Sequence, residues 1–281
     1  MLRRHSSVRV LTPADRDEAL ALCARNPAAN CFVASRLDEG ALNSPNTGLL
    51  GFDAGGQLEA LLWTGVNLVP VEATPDAIAE FAHRVRRQRR QCASIFGPRD
   101  QVAGLWSELS PMWGPARTIR HVQPLMATST PPSQLGMPCD SRVRLATAAD
   151  VDLVVPAAAA MFTDEIGYPP FAGSTTACRS TISALIRAQR TYVWVEDGRC
   201  LFKADVGSVG VGAAQIQGVW LLPSLRGRGL SVPLMAAVTE HILRFVAPMA
   251  SLYVNDFNHA ARSTYEALGF QPAGTFSTVL M

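Results

Sequence analysis

Lysine is all but missing from this 281-residue chain: Lys203 is the only one, and the other basic side chains are arginine. That alone excludes the nucleotide P-loop, which needs a Lys-Ser/Thr after its last glycine. No G-x-G-x-x-G follows a first strand, which excludes the dinucleotide fingerprint. No apolar run approaches the ~18 residues of a membrane span. The Met1–Ser7 start lacks the apolar core of a signal peptide. The six cysteines are scattered without a C-x-x-C pair, and the five histidines form no pair at ligand spacing. Reduced thiols in the cytoplasm and no metal are the expectations. Net charge is only +2, so neither nucleic acid nor membrane is an expected partner. The basic run from His83 to Arg90 reads as the solvated face of a helix.

What is present is an ordinary globular composition, 48% hydrophobic and 17% charged, in a chain long enough for two modest domains. Residues 128–140 are polar and Pro-rich without periodicity, and read as a linker between residues 1–127 and 141–281. The two halves open alike. Val8, Arg9, Thr12, Ala14, Asp15 and Asp17 recur at equal spacing as Val143, Arg144, Thr147, Ala149, Asp150 and Asp152. Each string reads as a short strand followed by a capped helix.

In the second half, helices are expected over 150–161 and 175–189, then a hairpin of strands 192–196 and 200–205 about the Asp197-Gly198 turn. A strand over 212–222, an apolar-periodic helix, a strand over 251–255, a helix over 258–268 and strands at 270 and 276–280 complete it. The first half follows the same order. A strand over 8–11 and two helices ending by Leu37 lead to strands over 48–53, 58–64 and 67–71. A helix over 75–88, a strand over 93–97, a helix over 99–109 and a strand over 118–124 follow. The fold class is therefore α/β in its α+β form: two similar units, each a mixed, mostly antiparallel sheet flanked by helices.

The most informative stretch runs from Gly218 to Ser231. A buried strand ends at Pro223, and an Arg226-Gly-Arg-Gly229 turn feeds a helix whose apolar face is Leu230, Leu234, Val238 and Ile242. Such a turn leaves backbone N–H groups unpaired at the positive end of a helix, which suits a phosphate or pyrophosphate. Gly227 and Gly229 let the backbone approach the anion, and Arg226 and Arg228 add charge. The equivalent place in the first half has Glu72 and Asp76, whose charge would repel an anion.

The turn resembles the R/Q-x-x-G-x-G/A signature of the GNAT superfamily of N-acetyltransferases. Downstream, Asn255-Asp-Phe-Asn258 with Tyr265 and Gly269-Phe270 resembles that superfamily's second signature, and the likeness covers about Val143 to Met281. The first half is similar to the domain of unknown function that precedes the acetyltransferase domain in one actinobacterial family. The strings that carry this are Asn26-Pro-Ala-Ala-Asn30, the segment from Trp63 to Pro70, and Trp113-Gly-Pro-Ala-Arg117.

The resemblance implies acetyl-CoA as cosubstrate and a catalytic C-terminal half beside a degenerate N-terminal one. It implies that Val219, Trp220 and Leu221 pair with the pantetheine arm, and that the Leu221 N–H polarises the thioester carbonyl. Arg226, Gly227, Arg228, Gly229, Leu230, Ser231 and Val232 would hold the pyrophosphate, and Asn255 and Asn258 would contact the cofactor. Tyr265 would protonate the departing thiolate. Ser231 replaces the usual Gly or Ala, and Pro233 lacks an N–H.

The general base is less plain. The central strand offers Gln215 and Gln217 where many relatives have an acid, so the nearest carboxylates are Asp164 and Glu165, expected in the loop after the first helix. Glu165 is taken as the candidate, beside a water chain or a solvated helix end. The acceptor is an amine of unread identity, and a homodimer stays open. A non-catalytic acyl-CoA sensor or scaffold and a tandem-GNAT aminoacyl transferase are the rival readings.

Overall fold

The two halves open on the same local construction. In each, a strand carries an arginine whose guanidinium holds the aspartate of the following turn: Arg9 donates to Asp15 at 2.8 Å and Arg144 to Asp150 at 2.7 Å. Each aspartate also accepts from the N–H and hydroxyl of the threonine three residues earlier, Thr12 and Thr147. Both turns lead into helices. Matching strings have become matching structures. The computed structural model of the chain describes residues 6–43, 48–86, 92–166 and 176–281.

The first half runs β1 (Ser6–Val10), α1 (Arg16–Cys23), α2 (Pro27–Asp38), β2 (Leu49–Ala54), β3 (Gln57–Thr64), β4 (Asn67–Val71), α3 (Pro75–Val85), β5 (Ser94–Pro98), α4 (Arg99–Trp113) and β6 (Thr118–Thr128). The second runs β7 (Arg144–Leu145), α5 (Val151–Ile166), α6 (Thr176–Arg187), β8 (Thr191–Glu196), β9 (Arg199–Gly210), β10 (Ala213–Leu221), α7 (Ser231–Phe245), β11 (Met249–Tyr253), α8 (His259–Ala267) and β12 (Gln271–Leu280). No helix among the described residues is long and apolar enough to cross a membrane.

All twelve strands form one sheet, ordered β1-β2-β3-β4-β5-β12-β6-β11-β10-β9-β8-β7. Only β4–β5 and β10–β11 are parallel pairs. The centre holds an exchange. β12, from the second half, lies between β5 and β6, with Phe276–Leu280 antiparallel to Ser94–Pro98. β6, from the first half, pairs with β11 through Leu125–Thr128 and Ala250–Tyr253. Each half thus completes the other's sheet. Helix α2 crosses the same joint: the Cys31 thiol donates to Ala213 O at 3.1 Å.

Several boundaries differ from the sequence reading, each for a local reason. α5 runs on to Ile166, because nothing in Met161–Glu165 breaks a helix, so Asp164 and Glu165 occupy its last turn rather than a loop. α4 runs through Pro111 to Trp113, and Gly114 at φ 76° stops it. β9 extends to Gly210 and returns as β10 through Val211 and Gly212, both at positive φ, a two-residue hairpin that the sequence hid behind a β-branched residue. β6 reaches Thr128, and the strands expected at 270 and 276–280 are one irregular strand, β12. The expected linker holds a short 3-10 turn, Pro132–Leu135, and the N–H and hydroxyl of Ser133 donate to Glu240 on α7. The end of the helix expected over 75–88, part of the basic run and the first residue of the helix expected over 175–189 lie outside the described residues.

Candidate active site

β10 and β11 pair only from Ala213 with Met249 to Gln215 with Ser251, then part. Against β9, the register of β10 slips between Gln217 and Trp220, and Gly218 there has φ 60°, a left-handed value suited to glycine. This is a β-bulge, which re-aims the strand beyond it. Lys203 pins it from below. Its ammonium, in a side chain 1% exposed, donates to Gly218 O at 2.7 Å and to Asp205 Oδ2 at 2.6 Å. The Thr191 hydroxyl donates to the other Asp205 oxygen. Past the bulge, Leu222 N–H bonds Leu201 O on β9 at 2.8 Å. N–H groups alternate sides along an antiparallel strand, so those of Val219 and Leu221 face the gap between β10 and β11.

The phosphate-like turn opens at the end of that gap. Gly227 and Gly229 have φ 75° and 74°, and a Cβ on either would meet nothing, so the backbone conformation rather than space selects glycine. Leu230 stands at the N-cap of α7 with no side-chain bond, as an apolar cap must. Among the described residues no acceptor takes the N–H of Gly227, Arg228, Gly229, Leu230, Ser231 or Val232. The positive end of a 15-residue helix is left open there. Arg226, expected to face the anion, turns back: its Nε donates to Leu221 O at 3.0 Å and its Nη2 to Asp164 at 3.0 Å. Arg228 is exposed.

The first half handles the same place differently. Thr74 caps α3 by accepting from Ala77 N–H, and Gln101 accepts from Ala73 N–H. Glu72 accepts from Asn30, a residue 2% exposed. A Cβ on Gly97 would meet Pro70 at 3.6 Å, so β4 and β5 stay close beyond their two paired positions. Protein atoms occupy what is free in the second half.

Tyr265, on α8, is 6% exposed, with its ring 5.8 Å from that of Phe270. Burial, then the charge of Glu165, raise its hydroxyl well above the ordinary tyrosine value, so it stays protonated at neutral pH. Asn258 sits at the N-cap of α8, where its Oδ1 accepts from Ala261 N–H; only its amide group is left for a ligand. Asn255 Oδ1 accepts from Gln123 of β6 at 3.0 Å.

Beside the bulge lies a cavity of about 420 Å³. Met161, Phe162, Ile182, Leu185 and Ile216 give it apolar walls; Glu165, Cys178, Thr181, Lys203, Asp205, Gln217 and Tyr253 are among its polar lining. Glu165 is not free: Arg120 of β6 donates to its carboxylate at 2.8 Å and to its carbonyl at 2.9 Å. Burial, then Glu165, push the Tyr253 hydroxyl up to about 12. At the point where β10 and β11 part, Gln215 Nε2 and Ser251 Oγ are buried without a partner among the described residues.

Leu221 and Tyr265 share one buried core cluster, against which Val219, Leu230 and Val232 pack, while Glu165 lines the cavity; Trp220 packs under α5, with its indole buried. Sequence reasoning missed Arg120, Gln123, Lys203, Asp205 and Tyr253. The two from β6 gave no signal, because nothing local says that this strand crosses to the other half. Lys203 and Asp205 did give one: a sole lysine two residues from an aspartate on a buried strand must be paired.

Two family models match: "Domain of unknown function (DUF4081)" over residues 47–154 and "FR47-like protein" over 210–278. No curated protein matches the sequence. Among solved structures, a Drosophila protein is similar at TM-score 0.66 and 16% identity, over 99% of both chains. A GCN5-related N-acetyltransferase from Sphaerobacter thermophilus is similar at 0.61 and 16%, over 99% of this chain and 95% of that one. A tandem GNAT protein from the clavulanic acid biosynthesis pathway is similar at 0.60 and 16%, over 98% of both.

Proposed function

Starting from a chain that has the tandem GNAT fold, we propose an acetyl-CoA-dependent N-acetyltransferase that acts by direct attack of an amine in a ternary complex. The observation that carries this reading is the set of unpaired amides from Gly227 to Val232 at an uncapped helix N-terminus, beside strands that part. Those amides suit the pyrophosphate. The backbones of Val219 and Leu221 suit the pantetheine arm, and Asn258 Nδ2 suits the cofactor's polar edge. Bound there, acetyl-CoA supplies the acetyl thioester.

The chain's own groups then have separable tasks. The Leu221 N–H stabilises charge developing on the thioester oxygen, and Arg226 at Leu221 O fixes that peptide's neighbour in place. Tyr265 holds a proton for the leaving sulfur. The cavity beside Gly218 receives the acceptor, and the N-terminal half shapes it through Arg120.

The test is a stability shift. Acetyl-CoA at a hundredfold excess over its Kd should stabilise the chain by about 2.7 kcal/mol, and a thiol-release assay over an amine panel should then find turnover. No shift at millimolar acetyl-CoA overturns the reading. A non-catalytic acyl-CoA sensor is the second reading, favoured by the ion pairs that occupy both cavity carboxylates. A shift with no transfer to any amine selects it.

A further inference from the structure

The charges of the acceptor cavity are spent within the chain. Glu165 is held by Arg120, and Asp205 by Lys203 and Thr191. Cys178 has its thiol raised by burial, and Tyr253 is pushed up to about 12, so both stay neutral at pH 7. Gln217, also on the lining, carries no charge. Among the described residues no carboxylate is left to neutralise an ammonium, and burying an unpaired charge among apolar walls is costly. None is left either to take a proton from an ammonium before it attacks.

We infer that the acceptor is a weakly basic amine on a compact apolar body, of the arylamine class, which enters uncharged. This rests on the acetyltransferase reading above and names its substrate class. The volume of about 420 Å³ suits a small molecule rather than a folded partner. In the reaction the amine lone pair forms the C–N bond, and the C–S bond breaks with its electrons going to sulfur. The nitrogen sheds one proton and the sulfur gains one, leaving an amide and a thiol. An uncharged amine needs no base beforehand: Tyr265 gives its proton to the sulfur, and the proton shed by the nitrogen returns to the Tyr265 phenolate.

Two acceptors of nearly the same shape and opposite basicity test this: 4-methylaniline and 4-methylbenzylamine, with spermidine as a polycation. At pH 7 and saturating acetyl-CoA, kcat/KM for 4-methylaniline should exceed that for 4-methylbenzylamine at least tenfold and that for spermidine at least a hundredfold. Gln217→Glu, a same-size change at an exposed position, supplies a free carboxylate and should narrow the first gap to under threefold. Equal or reversed preference in the wild type, or an unchanged gap in the variant, overturns the inference. So does an acetyl-CoA stability shift without transfer to 4-methylaniline. If acetyl-CoA gives no shift, the acetyltransferase reading itself fails. Calorimetry with each amine alone then decides the cavity: tighter binding of 4-methylaniline than of spermidine supports the uncharged-ligand assignment, and the reverse or no binding overturns it.

Discussion

Arg120 and Glu165 come from different halves of the chain, yet the guanidinium of one grips both the carboxylate and the carbonyl of the other, at 2.8 and 2.9 Å. The contact ties the exchanged strand β6 to the last turn of α5, which forms a wall of the acceptor cavity. Arg120→Gln removes the charge and leaves the strand register alone. Acceptor kcat/KM should fall about fivefold, the scale of ~1 kcal/mol for a half-exposed ion pair. Acetyl-CoA affinity by calorimetry should hold within about twofold. Loss of both together would place Arg120 in the general stability of the fold instead.

Ser231→Asp separates helix from cofactor. A carboxylate in the first turn suits the α7 dipole, so the unliganded chain should melt at the same temperature or slightly higher, by ~0.3–1 kcal/mol. The same carboxylate fills the anion nest, and the acetyl-CoA stability shift should disappear. A variant that keeps the full shift would remove the Gly227–Val232 amides from the pyrophosphate site.

Tyr265→Phe keeps the ring against Phe270 and deletes the proton donor. Turnover should fall on the order of 10²-fold, with little change in melting temperature or acetyl-CoA affinity. Tyr253, on the adjacent strand, makes a poor silent control because it lines the cavity near Glu165. Tyr192, whose hydroxyl meets His241 away from the cleft, serves better: Tyr192→Phe should leave kcat unchanged. Unaltered kcat in Tyr265→Phe, where chemistry limits the rate, excludes it from the proton transfer.

Binding should be singular. Titration of the whole chain with acetyl-CoA should give a stoichiometry of one, because Thr74, Gln101 and Glu72 fill the place that the second half leaves open. A fragment such as 1–130 is the wrong material for this question: it takes β6 away from β11 and lacks the strand that separates β5 from β6. Such a fragment and its complement should be unfolded or aggregated alone and soluble when coexpressed. A monomeric, cooperatively melting 1–130 fragment would contradict the exchange.

Asp150 carries an acid-dependent part of the stability. Arg144 first, then Thr147, hold its carboxyl far below the ordinary aspartate value despite burial. A depressed folded-state pKa gives stability that is full above the unfolded value of about 4 and is lost as pH falls below it. Asp150→Asn should cost about 1 kcal/mol at pH 7, as a lost capping side chain does. The gap between variant and wild type should begin to narrow below about pH 4 and close only once the pH has passed below the depressed folded-state value, as read in urea melts. A gap that stays constant with pH would show that shape rather than charge is at stake.

Much of this was legible in the sequence, for reasons that name themselves. The paired openings at Arg9 and Arg144, the Asp197-Gly198 hairpin and the Gly227/Gly229 turn are set by neighbouring residues, and their chemistry shows in a short window. So is the buried stripe Leu234, Val238, Ile242 of α7. What stayed hidden depends on distant partners. Arg226 matches a signature, but its hydrogen bond to Asp164 spans two elements. Asn258 reads equally as ligand contact and helix cap, and the fold uses its oxygen as a cap. The strand exchange leaves no local mark, because β6 and β12 satisfy the same pattern whichever sheet they join.

The place of β12 also sets a schedule for synthesis. Pro98 ends β5 and Gln271 begins β12, so 173 residues must follow the one before the other exists. At ~5–20 residues per second that interval is about 10–35 s. Until then the nascent chain carries β5 and β6 with unpaired edges facing an empty slot, the kind of surface that recruits foreign strands. A ribosome stalled anywhere before Gln271 would release a chain with its middle missing, and holding chaperones should be most needed in that window.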